Sequence, residues 1–272
     1  MKIACYSLVL GKGFTIPAVV ETLARFGYDG VEWRVRDDFH LPLADIDERL
    51  GEAKALCDKA GLEIPALSTY IQISESDEAA TVLRAAAKAD CPRVRLLAPQ
   101  YDGSTPYEAL FDQAREDLKA IAALCQECEL KVLLPAHMNN IIPSASAAYR
   151  LVEGFSPDCL GILLDPANMI RAGREDWRMG IDLLGPYLGY IHVKNSAWHY
   201  VEDQGWQFGW APLDRGMVDW QEVIGLLQAA EYAGWLALED LLDTPVEEKL
   251  EQDLALLRSH IDSQTPAESD EG

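Results

Sequence analysis

The sequence predicts one domain folded as a (β/α)8 TIM barrel, and three observations predict it. Short apolar runs alternate with helix-patterned segments eight times in a chain of 272 residues, matching the strand count and the length of about 250 residues usual for such a barrel. The runs are apolar throughout instead of alternating with polar residues, as expected of a parallel sheet covered on both faces. No glycine-rich phosphate-binding fingerprint follows the first run, which disfavours the next-best architecture, a doubly wound open sheet.

The elements follow in order. Ile3 to Leu8 is a short apolar strand bounded by the turn Gly11-Lys12-Gly13. Ile16 to Phe26 has helical spacing and stops at Gly27, a residue suited to the left-handed end of a helix. Gly30 to Val35 is the second strand, and Leu43 to Ala60 an amphipathic helix closed by Gly61. Glu63 to Ser68 is the third strand, although Pro65 removes one ladder donor from it. Glu75 to Ala89 is alanine-rich and helical, and Arg93 to Leu97 is the fourth strand. A long helix over Pro106 to Glu129 leads to a buried strand at Lys131 to Leu134. Ser144 to Glu153 is helical, with Gly154 as its stop. Leu160 to Leu164, Leu188 to Val193 and Leu236 to Leu238 are the last three strands, with helices over Trp177 to Leu184, Trp220 to Ala230 and Val246 to His260. Two segments break the rhythm. Asn195 to Val218 is expected as a long loop without strand or helix, and its density of Trp198, Tyr200, Trp206, Phe208 and Trp210 argues for a functional segment over a disordered one. The barrel is assigned to residues 1–262, and the polar, acidic stretch 263–272 is expected as a disordered tail.

The chemistry is expected where strands end. Gly161-Ile-Leu-Leu-Asp165, Tyr187-Leu-Gly-Tyr-Ile-His192 and Trp235-Leu-Ala-Leu-Glu239 each finish on a metal-ligand side chain. If these strands are parallel neighbours, their carboxyl ends meet at one face of the barrel, where active sites of this fold lie. Oxygen and imidazole donors suit Mn, Mg, Co, Fe or Zn as a divalent ion. For any one residue a plainer role competes: Asp165 capping the next helix, His192 a satisfied core histidine, Glu239 paired with an arginine. All three on consecutive strand ends favour the metal site. Lys194 lies two residues after His192 and so points to the same side of its strand. It is a candidate for substrate contact together with Glu32 and Arg34, the alternative being an internal salt bridge between Lys194 and Glu32. Trp198 is a candidate to stack on the apolar face of a sugar.

A formal net charge of −22 repels phosphate backbones and excludes nucleic acid as the expected partner. No apolar stretch approaches the roughly 20 residues of a membrane span, and no signal-peptide pattern opens the chain. A cytoplasmic protein, with its six cysteines reduced, is expected. Cys125-Gln-Glu-Cys128 falls inside a predicted helix without a second pair, so it does not read as a zinc site.

The motifs Gly27-Tyr-Asp-Gly-Val-Glu-Trp33, Leu163-Leu-Asp-Pro-Ala-Asn168, Tyr190-Ile-His-Val-Lys194, Gly216-Met-Val-Asp219 and Gly234-Trp-Leu-Ala-Leu-Glu239 carry a family resemblance. The chain resembles, from about Ile3 to Ile261, the xylose isomerase-like barrels, in particular the sugar phosphate isomerase/epimerase group. The resemblance implies a divalent metal, a small carbohydrate substrate, and a metal quartet in which Asp165, His192 and Glu239 are three members. The fourth, a glutamate after the fifth strand, falls on Pro135, whose side chain cannot ligate. Two further departures are Asn168, where a histidine is frequent, and Asn195, where an aspartate is common. In the family's epimerases two glutamates handle protons on opposite faces of a carbon beside a carbonyl. With Pro135 only Glu239 remains of that pair, so His137, two residues on, becomes the candidate substitute as proton carrier or metal ligand. The sequence is read as a metal-dependent isomerase or epimerase of a sugar, sugar phosphate or polyol-derived keto compound, with Asn168 in the substrate set and a homo-oligomer as an open alternative to the monomer. A non-catalytic sugar-binding protein and a dehydratase of the inosose dehydratase type are the competing readings.

Overall fold

The computed structural model describes residues 1–263. Eight parallel strands, β1 (Lys2–Tyr6), β2 (Gly30–Arg34), β3 (Leu67–Gln72), β4 (Arg93–Leu97), β5 (Lys131–Pro135), β6 (Leu160–Leu164), β7 (Leu188–Val193) and β10 (Trp235–Leu238), close into a barrel in the order β1-β10-β7-β6-β5-β4-β3-β2. An antiparallel hairpin of β8 (Asn195–Val201) and β9 (Gly205–Ala211) projects beyond β7. Helices α1 (Ile16–Phe26), α2 (Ile46–Ala60), α3 (Ser76–Lys88), α4 (Tyr107–Cys128), α5 (Ala145–Val152), α6 (Pro166–Ala172), α7 (Trp177–Leu184), α8 (Trp220–Ala229) and α9 (Val246–Ser263) complete the described residues. The acidic stretch expected as a tail lies outside them, except Ser263, which ends α9.

The helices form where the sequence supplies both an apolar face and its ends. In α1 the Thr15 hydroxyl accepts from the Ala18 N–H at 3.4 Å, and Gly27 closes the helix at φ +84°. Ile16, Val19, Val20 and Leu23 are buried on one face against the barrel. Replacing a fully buried residue such as Leu23 by alanine removes about 2–5 kcal/mol of stability.

Three expectations are corrected. The third strand starts at Leu67, four residues late, because Pro65 has no N–H to donate and Glu63 meets Gly30 only at an isolated bridge. The expected loop 195–218 contains a hairpin, in which the Asp203–Gly205 turn has both residues at positive φ and the aromatic residues pair across strands. A short helix, α6, follows β6 directly, started by the Asp165-Pro166 cap. Elsewhere the predicted strands and helices stand at their expected places within a few residues.

The core has two parts. One large apolar cluster fills the space between sheet and helices. A small one, including Leu133, Leu163, Tyr190 and Trp235, plugs the barrel interior. Gly161 and Gly189 make room for this plug, since a Cβ at either would come within 2.9 Å of the Lys131 or Leu133 side chains. Because inward residues recur every second position, the layer above the plug consists of Tyr6, Glu32, Ser68, Arg95, Pro135, Asp165, His192 and Glu239, one from each strand or its carboxyl end.

Candidate metal and substrate site

A cavity of about 240 Å³ opens at the carboxyl ends of the strands, lined among others by Tyr70, Arg95, His137, Asp165, His192 and Glu239. Its floor is a network of buried charges. His192 stands between two carboxylates: Nε2 lies 3.0 Å from both oxygens of Glu32, and Nδ1 lies 2.9 Å from Glu239 Oε2. The Ser68 hydroxyl donates to Glu32 from the other side. Lys194 Nζ donates to Glu239 Oε2 at 2.5 Å and sits 2.8 Å from Asp165 Oδ2. Asp165 is fixed by its neighbour: its Oδ1 accepts from the Asn168 N–H at 3.0 Å, capping α6, and its Oδ2 accepts from Asn168 Nδ2 at 2.5 Å. The capping role and the site role thus fall to different oxygens of one carboxylate.

These contacts set the ionisation. Burial alone pushes the His192 imidazolium down, but Glu32 and Glu239 outweigh it and lift it to about 9. Burial likewise opposes the Lys194 ammonium, which Asp165 and Glu239 hold above the usual lysine value. Burial pushes the Glu239 carboxyl up, yet Lys194 and His192 hold it well below the usual carboxylate range.

One ligand atom from each of Asp165, His192 and Glu239 lies within 4.8 Å of the others. The donor set fits a divalent cation. Two carboxylates and an imidazole with open positions remaining are catalytic-metal chemistry. Glu32 on the far nitrogen of His192 is the outer partner that fixes a ligating imidazole. The Lys194 ammonium competes for the same carboxylate oxygens, and a bound ion would have to displace the proton that His192 shares with Glu239. Pro135 contributes no donor, and its ring lines the cavity.

The other candidate residues divide. His137 lines the cavity but is not part of the three-residue cluster. Its Nδ1 lies 2.7 Å from the Met138 carbonyl oxygen, and burial holds its imidazole below the usual value. Asn168 lines the cavity and is spent largely on Asp165. Glu32 is fully buried behind His192, and the alternative of an internal salt bridge between Lys194 and Glu32 is not realised: Lys194 pairs with Asp165 and Glu239. Arg34 stands behind Tyr70, its guanidinium 5.0 Å from that ring and 4.6 Å from Phe39. Trp198 is turned onto α6, donating from Nε1 to the Ile170 carbonyl at 3.3 Å and packing edge-on against Phe208. The hairpin aromatic that meets the site is Trp210, whose ring lies 5.1 Å from Lys194 Nζ.

Arg95 and Trp210 were not singled out from sequence. Arg95 was legible as the one basic residue at an inward position in the middle of an apolar strand. Trp210 becomes legible only once the hairpin register is known. Asn195 has its own logic: Nδ2 donates to the carbonyls of Leu213 and Val218 at 2.9 Å each, and Oδ1 accepts from the Val218 N–H. An aspartate could not donate the first two, so the asparagine ties the chain returning from the hairpin to the end of β7.

The chain belongs to the xylose isomerase-like TIM barrel family, whose profile matches residues 20–260. Inosose dehydratase from Geobacillus kaustophilus is 25% identical over 154 residues, 52% of this chain and 47% of that protein. The chain thus spans about half the length of the curated relative it matches. Solved structures with the same fold include 3-keto-D-glucoside 4-epimerase from E. coli, with a TM-score of 0.76 and 15% identity over 95% of this chain and 99% of that one. They include the IolI protein with a bound zinc atom, at 0.81 and 14% over 98% and 100%. A xylose isomerase-like barrel from Mycobacterium smegmatis in complex with magnesium scores 0.74 at 18% identity over 97% and 98%. Among the described residues no helix is long and apolar enough to cross a membrane.

Proposed function

We propose that this barrel is a metal-dependent isomerase or epimerase of a sugar or polyol-derived keto compound, acting in the cavity above Asp165, His192 and Glu239. The observation that carries the reading is the convergence of those three side chains on one point of a cavity that also holds His137. A divalent ion held there would polarise a substrate carbonyl and acidify the neighbouring C–H.

The protein's own residues supply the proton handling. Epimerisation needs one acid/base group for each face of the carbon. Glu239 follows β10 and His137 follows β5, and β7 and β6 separate these strands around the barrel. The two groups therefore approach the cavity from different sides. Glu239 Oε2 is taken by His192 and Lys194, while Oε1 accepts no hydrogen bond from the described residues. His137, with Nδ1 turned to the Met138 carbonyl, keeps Nε2 as an acceptor and is neutral at pH 7. Burial holds the His137 imidazole below its usual value, and Lys194 and His192 hold the Glu239 carboxyl well below the usual carboxylate range. His137 thus takes the place in proton transfer that Pro135 vacates.

The test pairs calorimetric titration with Mn²⁺ and an NMR assay of solvent deuterium entering the carbon beside the carbonyl in a panel of ketohexoses. Wild-type protein should bind the ion and exchange deuterium, and His137→Gln and Glu239→Gln should each slow exchange by roughly 10²–10⁴-fold. No ion binding, or variants as fast as wild type, sinks the reading. Dehydration is the second reading, favoured by the similarity to inosose dehydratase. Loss of water from a keto-polyol, seen by mass spectrometry without return of an epimer, would decide for it.

A further inference from the structure

At the Tyr70 edge of the cavity two arginines, Arg95 in the lining and Arg34 behind Tyr70, carry positive charge with no salt-bridge partner among the described residues. Arg34 and Arg95 are buried, at 8% and 7% exposure, and among the described residues neither forms a salt bridge. Arg95 spends Nε and Nη2 on the single carbonyl of Thr69, at 3.3 and 2.9 Å, and its Nη1 donates to nothing described. Arg34 donates no side-chain hydrogen bond to any described residue, and its Nε is buried without a partner. Both guanidinium groups lie about the Tyr70 ring, at 5.0 and 5.1 Å from its centre. Tyr70 lines the cavity mouth, as Arg95 does. A buried, unpaired charge is costly, and natural proteins retain one where a partner arrives from outside. On the facing wall Asp165 and Glu239 already share the Lys194 ammonium. An arriving anion is therefore repelled little by that wall and drawn to the arginines. In a chain of net charge −22 such a local reversal of sign has no use in general solubility.

We propose that the substrate carries an anionic oxygen group, a carboxylate in the first instance, seated on Arg95 and Arg34 beside Tyr70 while its reacting carbon lies over Asp165 and Glu239. The preferred substrate class is then a sugar acid or a similar keto acid, bound ahead of the neutral sugars. The fork of a guanidinium matches the two oxygens of a carboxylate, and such charge-assisted bonds are about twice as strong as neutral ones. The cavity of about 240 Å³ leaves room for one ligand of monosaccharide size. This inference rests on the reading of the cavity as a sugar site, but its test does not rest on turnover.

The experiment is calorimetric binding to the full chain after chelator treatment, with D-glucose, D-glucuronate, D-glucose 6-phosphate and inorganic phosphate as probes. D-glucuronate should bind at least about tenfold more tightly than D-glucose, in keeping with one good charged contact. Arg95→Gln and Arg34→Gln should each remove most of that advantage. Arg34→Gln is the safeguard against misfolding, since its guanidinium holds no part of the fold by hydrogen bonds. A gain for glucose 6-phosphate or inorganic phosphate without a gain for glucuronate would keep the anion site and reassign its ligand to phosphate. No gain for any anion over glucose, or a gain that survives in both variants, overturns the proposal. Because binding is read without metal, a failure of metal uptake or deuterium exchange leaves this result standing. Exchange on neutral ketohexoses with no anion preference would remove this inference alone.

Discussion

The two walls of the cavity solve the problem of buried charge in opposite ways. On the side of β6, β7 and β10, every ionised group has its partner: His192 between Glu32 and Glu239, Lys194 between Asp165 and Glu239. On the side of β2, β3 and β4, the Glu32 carboxylate of β2 is turned to His192, and Arg34 and Arg95 meet aromatic rings and a carbonyl without forming a salt bridge. A self-satisfied network holds a geometry and is ready for chemistry. An unsatisfied one is ready for a ligand. The barrel order places β5 and β1 between the two walls, so Pro135, His137 and Tyr6 stand where they meet.

The sharpest way to break the contrast is to remove one paired and one unpaired group, both from β2, and compare stabilities. Glu32→Ala strands the His192 imidazolium and the Ser68 hydroxyl, and breaking a buried ion pair from one side costs about 3–5 kcal/mol. Arg34→Gln removes an uncompensated charge and should be neutral or stabilising. Urea denaturation of both variants measures the difference. Equal losses would mean that the arginines are partnered within the fold after all.

A second test adds to the carboxylate wall. Pro135→Glu places a carboxylate at the fourth position, beside Lys194's two partners. It should raise Mn²⁺ affinity roughly tenfold, about 1.4 kcal/mol, by calorimetry. An unchanged affinity would show that three ligands suffice and that Lys194, not the missing carboxylate, sets the competition for the site.

A third carboxylate pocket shows the other means of neutralising buried charge, retention of a proton. Asp253 on α9 is buried, with Oδ2 making no hydrogen bond, and burial together with Asp240 pushes its carboxyl up to about 8 despite nearby Lys249. A raised carboxyl stabilises the fold fully below the unfolded value near 3.8, and that contribution is lost as pH rises through about 8. Wild-type stability should therefore decline as pH rises from about 4 to about 8 and level off above, and Asp253→Asn should abolish that part of the slope. At pH 9 the variant should gain about 1 kcal/mol or more, roughly 2–4 °C in melting temperature. Thermal melts from pH 5 to 9 measure it, and parallel profiles for the two proteins would refute it.

The barrel and the carboxylate wall were legible in the sequence because both follow from periodicity. Fully apolar strands announce a parallel sheet, and a polar residue just past the last apolar one marks the active face. Asp165, His192 and Glu239 carry that signature on three adjacent strands. The arginine wall was only half legible. Arg34 follows the same rule, but Arg95 lies inside its strand, and its lack of a counter-charge is a fact of three-dimensional packing. The hairpin was missed for a related reason. Trp198, Tyr200, Trp206, Phe208 and Trp210 recur at every second position and share one face of the hairpin, but their pairing across the turn at Asp203 to Gly205 is likewise a fact of three-dimensional packing. Asn195 shows the limit of reading a departure from a family pattern as a loss. Its amide makes two bonds that the more common aspartate cannot.

The smallest effect concerns which tryptophan the hairpin brings to the site. Trp198 is a natural choice from sequence, since it is the first aromatic after Lys194. In β8 and β9, however, Trp198 pairs with Phe208 and turns its indole N–H to Ile170, while Trp210, paired with Ser196, sits above the ammonium. An ammonium over a ring contributes about 0.5–1 kcal/mol where partly solvated, and more when dry. A double-mutant cycle of Lys194→Met with Trp210→Leu should return a coupling of that size, and the cycle with Trp198→Leu should return none within error. Coupling to Trp198 instead would mean that the hairpin closes differently over the carboxylate wall, and that Lys194 shares its charge with a different part of the hairpin.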